Sequence, residues 1–256
     1  MSKLSPIAHW LNDARLCLAF STRLPLASPP DERHRLGRAL RLNALAGVVV
    51  GGFGATVYWL AAALGLPVAV AALLSLAAAL WFTAALHEDG LADFVDAMGG
   101  GRSRAKALEI MRDSRIGAFG AAALFLSLAL RAALLAALGA PPLVFAGLVA
   151  SHAFARGLLP AAMLVLPPAR RDGLAASLNR PKRGDAALGI LLGSLVALGV
   201  LGFGAALAAS AAALFAGGAV LLIARRRLGG YTGDVLGAVE QVSEIAMLMG
   251  IVVMVL

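Results

Sequence analysis

The strongest constraint on this chain is the recurrence of nearly uncharged apolar stretches that match the thickness of a bilayer. A spanning helix needs ~20 mostly apolar residues. Stretches 43–63, 67–86, 119–138, 142–166, 186–206, 208–224 and 235–256 meet that need. Composition points the same way, with 61% hydrophobic and 14% charged residues, where soluble domains carry roughly 45–50% and ~25%. Such a chain can neither stay solvated as a disordered coil nor hide its apolar surface in one soluble core. The expected fold is all-α: a polytopic integral membrane protein of about seven transmembrane helices, forming a single membrane-embedded domain over 1–256. Pro67 and Pro141–Pro142 sit where helices should begin. The Ala/Leu/Gly run 186–224 is too long for one ordinary crossing and is read as a hairpin near Ala208–Ser210.

Charge placement orients these spans. The formal net charge is +8, and loops 23–41, 87–118, 167–185 and 225–234 hold nearly every Lys and Arg outside the N-terminal segment. Connections near Gly65–Pro67, Gly139–Pro142 and Ala208–Ser210 carry none. Cationic loops stay cytoplasmic, so the expectation is a multi-pass protein of the cell inner membrane with a cytoplasmic N-terminus and Leu256 outside. The positive excess then needs no nucleic-acid partner; its partner is the lipid bilayer. Asn12, Asp13 and Arg15 interrupt the N-terminal apolar stretch too early for a cleavable signal. Residues 7–22, with Trp10, Leu11, Leu18 and Phe20, read equally well as an interfacial amphipathic helix or as a core-packed one. The lone Cys17 excludes an intramolecular disulfide, and there is no internal repeat of broken helices of the transporter kind.

Chemistry concentrates in 87–118, the expected cytoplasmic active-site segment. Asp89, Asp93 and Asp96 stand at i, i+4 and i+7, one stripe of a continued helix. Three stacked carboxylates repel unless a cation neutralises them. Oxygen-only ligands suit Mg²⁺ or Mn²⁺, and Mg²⁺ typically pairs carboxylates with substrate phosphates; a solvated helix end is the plainer alternative, though it would ordinarily mix in Lys or Arg. Gly99–Gly101 follows, then Arg112, Asp113 and Arg115, an acid between two arginines that is either a metal ligand or a salt-bridged loop anchor. At another edge, Gly229-Gly230-Tyr231-Thr232-Gly233-Asp234 opens the last helix. Gly233, Gly237, Glu240 and Glu244 share one of its faces, with Glu240 only about 9 Å beyond Asp234 at ~1.5 Å rise per residue. Ionisable residues at membrane depth default to a functional role; at this short distance the alternative is that both glutamates remain in the wet interface. Arg156, one turn after His152, lies deeper and needs an acidic partner, whereas Arg131 is expected to snorkel toward the outer surface. No G-x-S-x-G elbow, Walker A loop or H-E-x-x-H motif is present.

His87-Glu88-Asp89-Gly90-Leu91-Ala92-Asp93-Phe94-Val95-Asp96 with Gly99–Gly101, Glu109-Ile110-Met111-Arg112-Asp113-Ser114-Arg115-Ile116-Gly117 and Gly229-Gly230-Tyr231-Thr232-Gly233-Asp234 together closely resemble the cobalamin synthase family, the adenosylcobinamide-GDP ribazoletransferases. Phe20-Ser21-Thr22-Arg23-Leu24-Pro25 also resembles the family's opening, and the likeness covers essentially the whole chain. Ala97 departs from it, standing where the family often has Gly. The resemblance implies a Mg²⁺-dependent late step of coenzyme B12 assembly. Adenosylcobinamide-GDP and α-ribazole, or α-ribazole 5′-phosphate, would give adenosylcobalamin or its 5′-phosphate, plus GMP. On this reading Asp89, Asp93 and Asp96 bind Mg²⁺; Asp113 is a further ligand or the base for the incoming hydroxyl, with Asp234 competing for that role. Arg112, Arg115 and Arg156 would hold the pyrophosphate. A homo-oligomer is compatible with the sequence.

Two other readings are distinguishable. A CDP-alcohol phosphatidyltransferase would show D-x-x-D-G-x-x-A-R, but Asp93-Phe94-Val95-Asp96 is followed by Ala97 and lacks the Ala-Arg. A cation or metabolite transporter would spread ionisable groups across the bilayer, whereas here the acids are expected at one edge.

Overall fold

Residues 6–26 and 35–256 are described by the computed structural model, and among them the named elements are all helical. The chain begins with α1 (Pro6–Ser21) and the short α2 (Leu36–Ala39), which a 3-10 turn joins to α3 (Asn43–Ala63). Next come α4 (Val68–Thr83), α5 (Leu86–Gly100) and α6 (Arg104–Ile110). α7 (Ala118–Leu138), α8 (Pro141–Gly157), α9 (Leu159–Val165) and α10 (Leu174–Ser177) follow, then α11 (Arg183–Leu201), α12 (Phe203–Leu228) and α13 (Gly233–Val255). Six of these units are long and apolar enough to cross a membrane alone: Leu36–Ala63, Ala118–Leu138, Pro141–Val165, Arg183–Leu201, Phe203–Leu228 and Gly233–Val255. α4 and α5 together are also long and apolar enough, but they meet at 91°, the geometry of a broken span or a re-entrant loop, so the candidate spans number six or seven. The polytopic all-α fold is as expected.

Two boundaries differ from the sequence reading. The second span does not run straight into His87: Ala84 and Ala85 both take left-handed backbone, with φ of 54° and 53°. Left-handed alanines cost roughly 1–2 kcal/mol each, so packing further on must hold the bend. The hairpin expected near Ala208–Ser210 lies instead at Gly202, whose φ is +75°. Alanines 208 and 209 favour helix, and only a glycine takes the turning conformation at little cost; α12 therefore runs unbroken past them.

Pro141–Val165 is the central staff, with 83% of its apolar window buried against 22% for α7. Small residues let neighbours close on it, as where Gly51 of α3 faces the Leu148 and Val149 backbone. α1 lies against the start of this bundle. Its buried Asp13 receives hydrogen bonds from Arg38 and Arg41, both at 2.9 Å, and Arg41 stacks on Trp10. Leu16 and Cys17 are buried while Ile7 and Leu11 remain exposed, so the amphipathic segment packs through one face and leaves the other free. Along α13 the core comes in layers. Val235, Leu236, Ala238 and Val239 join an apolar cluster with Leu91, Phe94 and Leu166; Met247, Leu248 and Ile251 join another with Leu135 and Leu148; polar residues lie between.

Candidate active site

A cavity of about 250 Å³ opens at the end of the bundle that carries the charged loops, with His87, Asp89, Arg170 and Asp234 among its lining groups and Phe20 and Leu178 among its apolar ones. It exists because α5 and α13 touch. A Cβ on Gly90 would fall 3.1 Å from the Asp234 Cα, and one on Gly237 would fall 3.0 Å from the His87 carbonyl oxygen. Glycine at both positions permits the close crossing and sets the Asp89–Asp93 stripe beside the start of α13. Thr232 caps that helix, its hydroxyl accepting from the Val235 N–H at 3.2 Å and donating to Asp234 Oδ2 at 3.1 Å. The opposite wall is the segment after α9. Ala169 N–H donates to the Tyr231 carbonyl and Tyr231 N–H to the Pro167 carbonyl, each at 2.8 Å. This short ladder swings Arg170 over Asp234, with Nη2 4.0 Å from Oδ2.

The anticipated site residues separate into four groups. Asp89 and Asp234 line the cavity, and Asp93, one turn on from Asp89, stands close enough to both to interact electrostatically. Asp89 is exposed and the other two are half-buried. Among the described residues neither Asp89 nor Asp93 has an ion-pair partner. Such an oxygen-only, uncompensated set suits a hard divalent cation. Asp96 shares their stripe but faces away; it accepts from Gly117 N–H at 2.7 Å and Gly120 N–H at 2.8 Å. That carboxylate caps the N-terminus of α7, where its charge also complements the helix dipole.

Arg112, Asp113 and Arg115 form the third group, on the exposed loop before α7. Arg112 pairs with Asp172, and Arg115 donates to both Asp113 oxygens. Hydrogen bonds from Arg115 hold the Asp113 carboxyl down at about 2. A group that acidic is a poor general base, since proton transfer is most effective near the working pH.

Arg156, the fourth, lies beneath the cavity in a dry polar layer whose size was not foreseen. It pairs with Glu240 Oε1 and with His152 Nδ1. His152 Nδ1 also stands 3.0 Å from Glu244 Oε2. Arg131 donates to Glu88 Oε1 at 3.1 Å and to Glu244 Oε1 at 3.3 Å. Gln241 donates to both Glu88 and Glu240, and His87 Nδ1 lies 3.4 Å from Glu240 Oε2. One expectation and one alternative are corrected here. Arg131 does not snorkel; it is 1% exposed, drawn inward because Glu88 and Glu244 supply its countercharge. Glu240 and Glu244 are not in a wet interface, both being 0% exposed. Arg156 has found its acidic partner. Among the described residues His152, Glu240 and Glu244 also form the trio whose potential ligand atoms all lie within 4.8 Å of one another. The adjoining arginines already supply that trio with positive charge.

Sequence reasoning missed Arg170, hidden among the many loop cations assigned to topology, and Glu88, overshadowed by the aspartates after it. The only signal for Arg170 was its place in a loop that returns to the Tyr231 motif.

The chain matches the family model described as cobalamin-5-phosphate synthase over residues 13–252. It is 46% identical over 244 residues to an adenosylcobinamide-GDP ribazoletransferase of Bradyrhizobium diazoefficiens, covering 95% of this chain and 94% of the relative. Relatives with the same description occur in Mesorhizobium japonicum, at 45% identity with 93% and 92% covered, and in Ralstonia nicotianae, at 43% identity with 91% and 92% covered. No solved structure matches.

Proposed function

Since the chain belongs to the cobalamin-5-phosphate synthase family, we propose that the cavity between α5, α13 and the segment after α9 is where it carries out the family reaction. The protein is an enzyme, an adenosylcobinamide-GDP ribazoletransferase acting in the final step of cobalamin assembly. The substrates are adenosylcobinamide-GDP and α-ribazole or its 5′-phosphate. The ribose 3′-hydroxyl attacks the phosphorus borne by the adenosylcobinamide side chain; a new O–P bond forms, the bond to the GMP oxygen breaks, and GMP leaves. The hydroxyl proton needs an acceptor. Asp234 lines the cavity, whereas Asp113 lies outside it and is tied to Arg115, so Asp234 is assigned that role.

The observation that carries this reading is the meeting of Asp89 and Asp234, with Asp93 close beside them, at a cavity with an arginine on its facing wall. Asp89 and Asp93, with Asp234 within reach, are the residues that would hold Mg²⁺. The ion when bound neutralises charge on the transferring phosphate. Asp96 contributes by fixing α5 to the start of α7, which keeps Asp93 on the cavity side. Arg112 and Arg115, exposed on the loop before α7, are placed to meet the anionic substrate on approach. Arg156 positions the floor through Glu240 and His152.

The cationic loops share one end with the cavity, so positive-inside orientation puts it on the cytoplasmic side of the inner membrane. The test is incubation of purified protein with adenosylcobinamide-GDP, α-ribazole and Mg²⁺, followed by chromatography for the corrinoid product and GMP. Both should form in equal amounts; absence of both from well-folded protein would overturn the assignment.

A further inference from the structure

A substrate that brings a diphosphate into a narrow cavity needs a cation already aimed there, and the arginines of this end can be sorted by what they already hold. Arg104 donates to the Leu228 and Ala169 carbonyls, Arg180 to those of Met163 and Leu164, and Arg227 to that of Gly101. These three staple loops to helix ends. Arg112 and Arg115 pair with Asp172 and Asp113, and Arg131 and Arg156 with the buried glutamates.

Arg170 is different. It lines the cavity, its side chain is only 20% exposed, and its Nη1 is buried with no hydrogen-bond partner among the described residues. Among the described residues its one ion pair is the loose one to Asp234, 4.0 Å away. A buried guanidinium nitrogen with no acceptor is costly, and an incoming phosphate oxygen would satisfy it. The backbone ladder between Pro167–Ala169 and Tyr231 fixes the segment, so the side chain is presented from a braced wall.

We propose that Arg170 is a substrate-binding residue that grips the diphosphate of the nucleotide-activated substrate, opposite Asp89 and Asp93, and so selects that substrate over uncharged alcohols. The planar fork suits a phosphate bidentately. This inference rests on the ribazoletransferase reading, and turnover by the wild-type protein tests that reading separately.

The two substrates differ in the relevant charge, which makes the test specific. With α-ribazole, which carries no phosphate, as acceptor, Arg170→Ala should raise KM for adenosylcobinamide-GDP about ten- to hundredfold while KM for α-ribazole changes less than about twofold. Arg170→Lys should recover part of the loss, and Arg171→Ala, an exposed neighbour on the same loop, should match wild type. Inorganic pyrophosphate should inhibit wild type competitively against adenosylcobinamide-GDP and inhibit Arg170→Ala much less. Equal increases in both KM values would mean a structural role and would overturn the proposal, as would unchanged kinetics in a wild type that turns over. Should Arg170→Ala lose its monodisperse gel-filtration peak, Arg170→Gln, which keeps length without charge, is read by the same criteria.

Discussion

At the scale of single residues, the site is decided by which carboxylates are left without a partner. Asp93 is half-buried with no ion pair among the described residues, whereas Asp96, three residues on, is committed to two backbone N–H groups of α7. The two should therefore fail differently. Asp93→Asn should lower kcat by at least about a hundredfold with the thermal midpoint in detergent unchanged; near-normal turnover would remove Asp93 from the metal-holding set. Asp96→Ala should lower the midpoint, because an N-cap is worth ~1 kcal/mol.

Asp113 supplies a pH test. Its folded carboxyl is depressed to about 2, so its pairing with Arg115 is intact above the usual carboxylate range and is lost only as pH falls through about 2. An acid limb in the rate profile between pH 4 and 7 should thus persist in Asp113→Asn, and its disappearance would return Asp113 to candidacy as the base. The i, i+4, i+7 stripe was legible in the sequence. Which member turned to the neighbouring helix was not, because that depends on where α7 begins in space.

At the scale of elements, the break between α4 and α5 carries the geometry. Two successive alanines in left-handed backbone are an unusual choice, and their strain is set against the close packing of α5 on α13 through Gly90 and Gly237 that the bend makes possible. Ala84→Gly should raise stability by roughly 0.5–1 kcal/mol, the relief of ~1–2 kcal/mol of left-handed strain less the entropy that glycine costs. Differential scanning fluorimetry in detergent would measure it, and a fall would show that Ala84 packs usefully. The sequence marks neither alanine as a break, since alanine is the best helix former. Only the later demand that Asp89 and Asp93 meet Asp234 across Gly90 and Gly237 forces the turn. Arg131 shows the converse: read alone on α7 it should reach for water, and only the arrival of Glu88 and Glu244 reverses it. Arg131→Met should cost about 3–5 kcal/mol, as expected when one member of a buried charge network is removed, unless Glu88→Gln is introduced with it, which should restore part of the loss.

At the scale of the whole molecule, spans, order and the position of most turns were legible, because ~20-residue apolar runs and proline or glycine punctuation are local signals. The polar layer inside the bundle was not, since it is made of residues from α5, α7, α8 and α13, far apart in the chain. It also changes how a transporter is set aside. Glu88, Glu240 and Glu244 do lie inside the bundle, so the decisive ground is family membership rather than acids confined to one edge. Topology remains open to a direct measurement. The sole native cysteine, Cys17, is buried, giving a low labelling background for Arg171→Cys. In inside-out vesicles an impermeant maleimide should label that variant, and in right-side-out vesicles it should not. The reverse pattern would invert the orientation.

The layer has a consequence for biogenesis. Glu88 is synthesised before Arg131, so the first buried cation enters the bilayer with a counterion already waiting. Arg156 has no such predecessor: its partner Glu240 is on α13, the last described helix to emerge. From the insertion of α8 until α13 docks, the nascent protein carries an unneutralised guanidinium in its most central helix, a state costly at bilayer depth. A chain ending at Leu228 would lack Glu240 and Glu244, the carboxylates that neutralise the arginines of this layer.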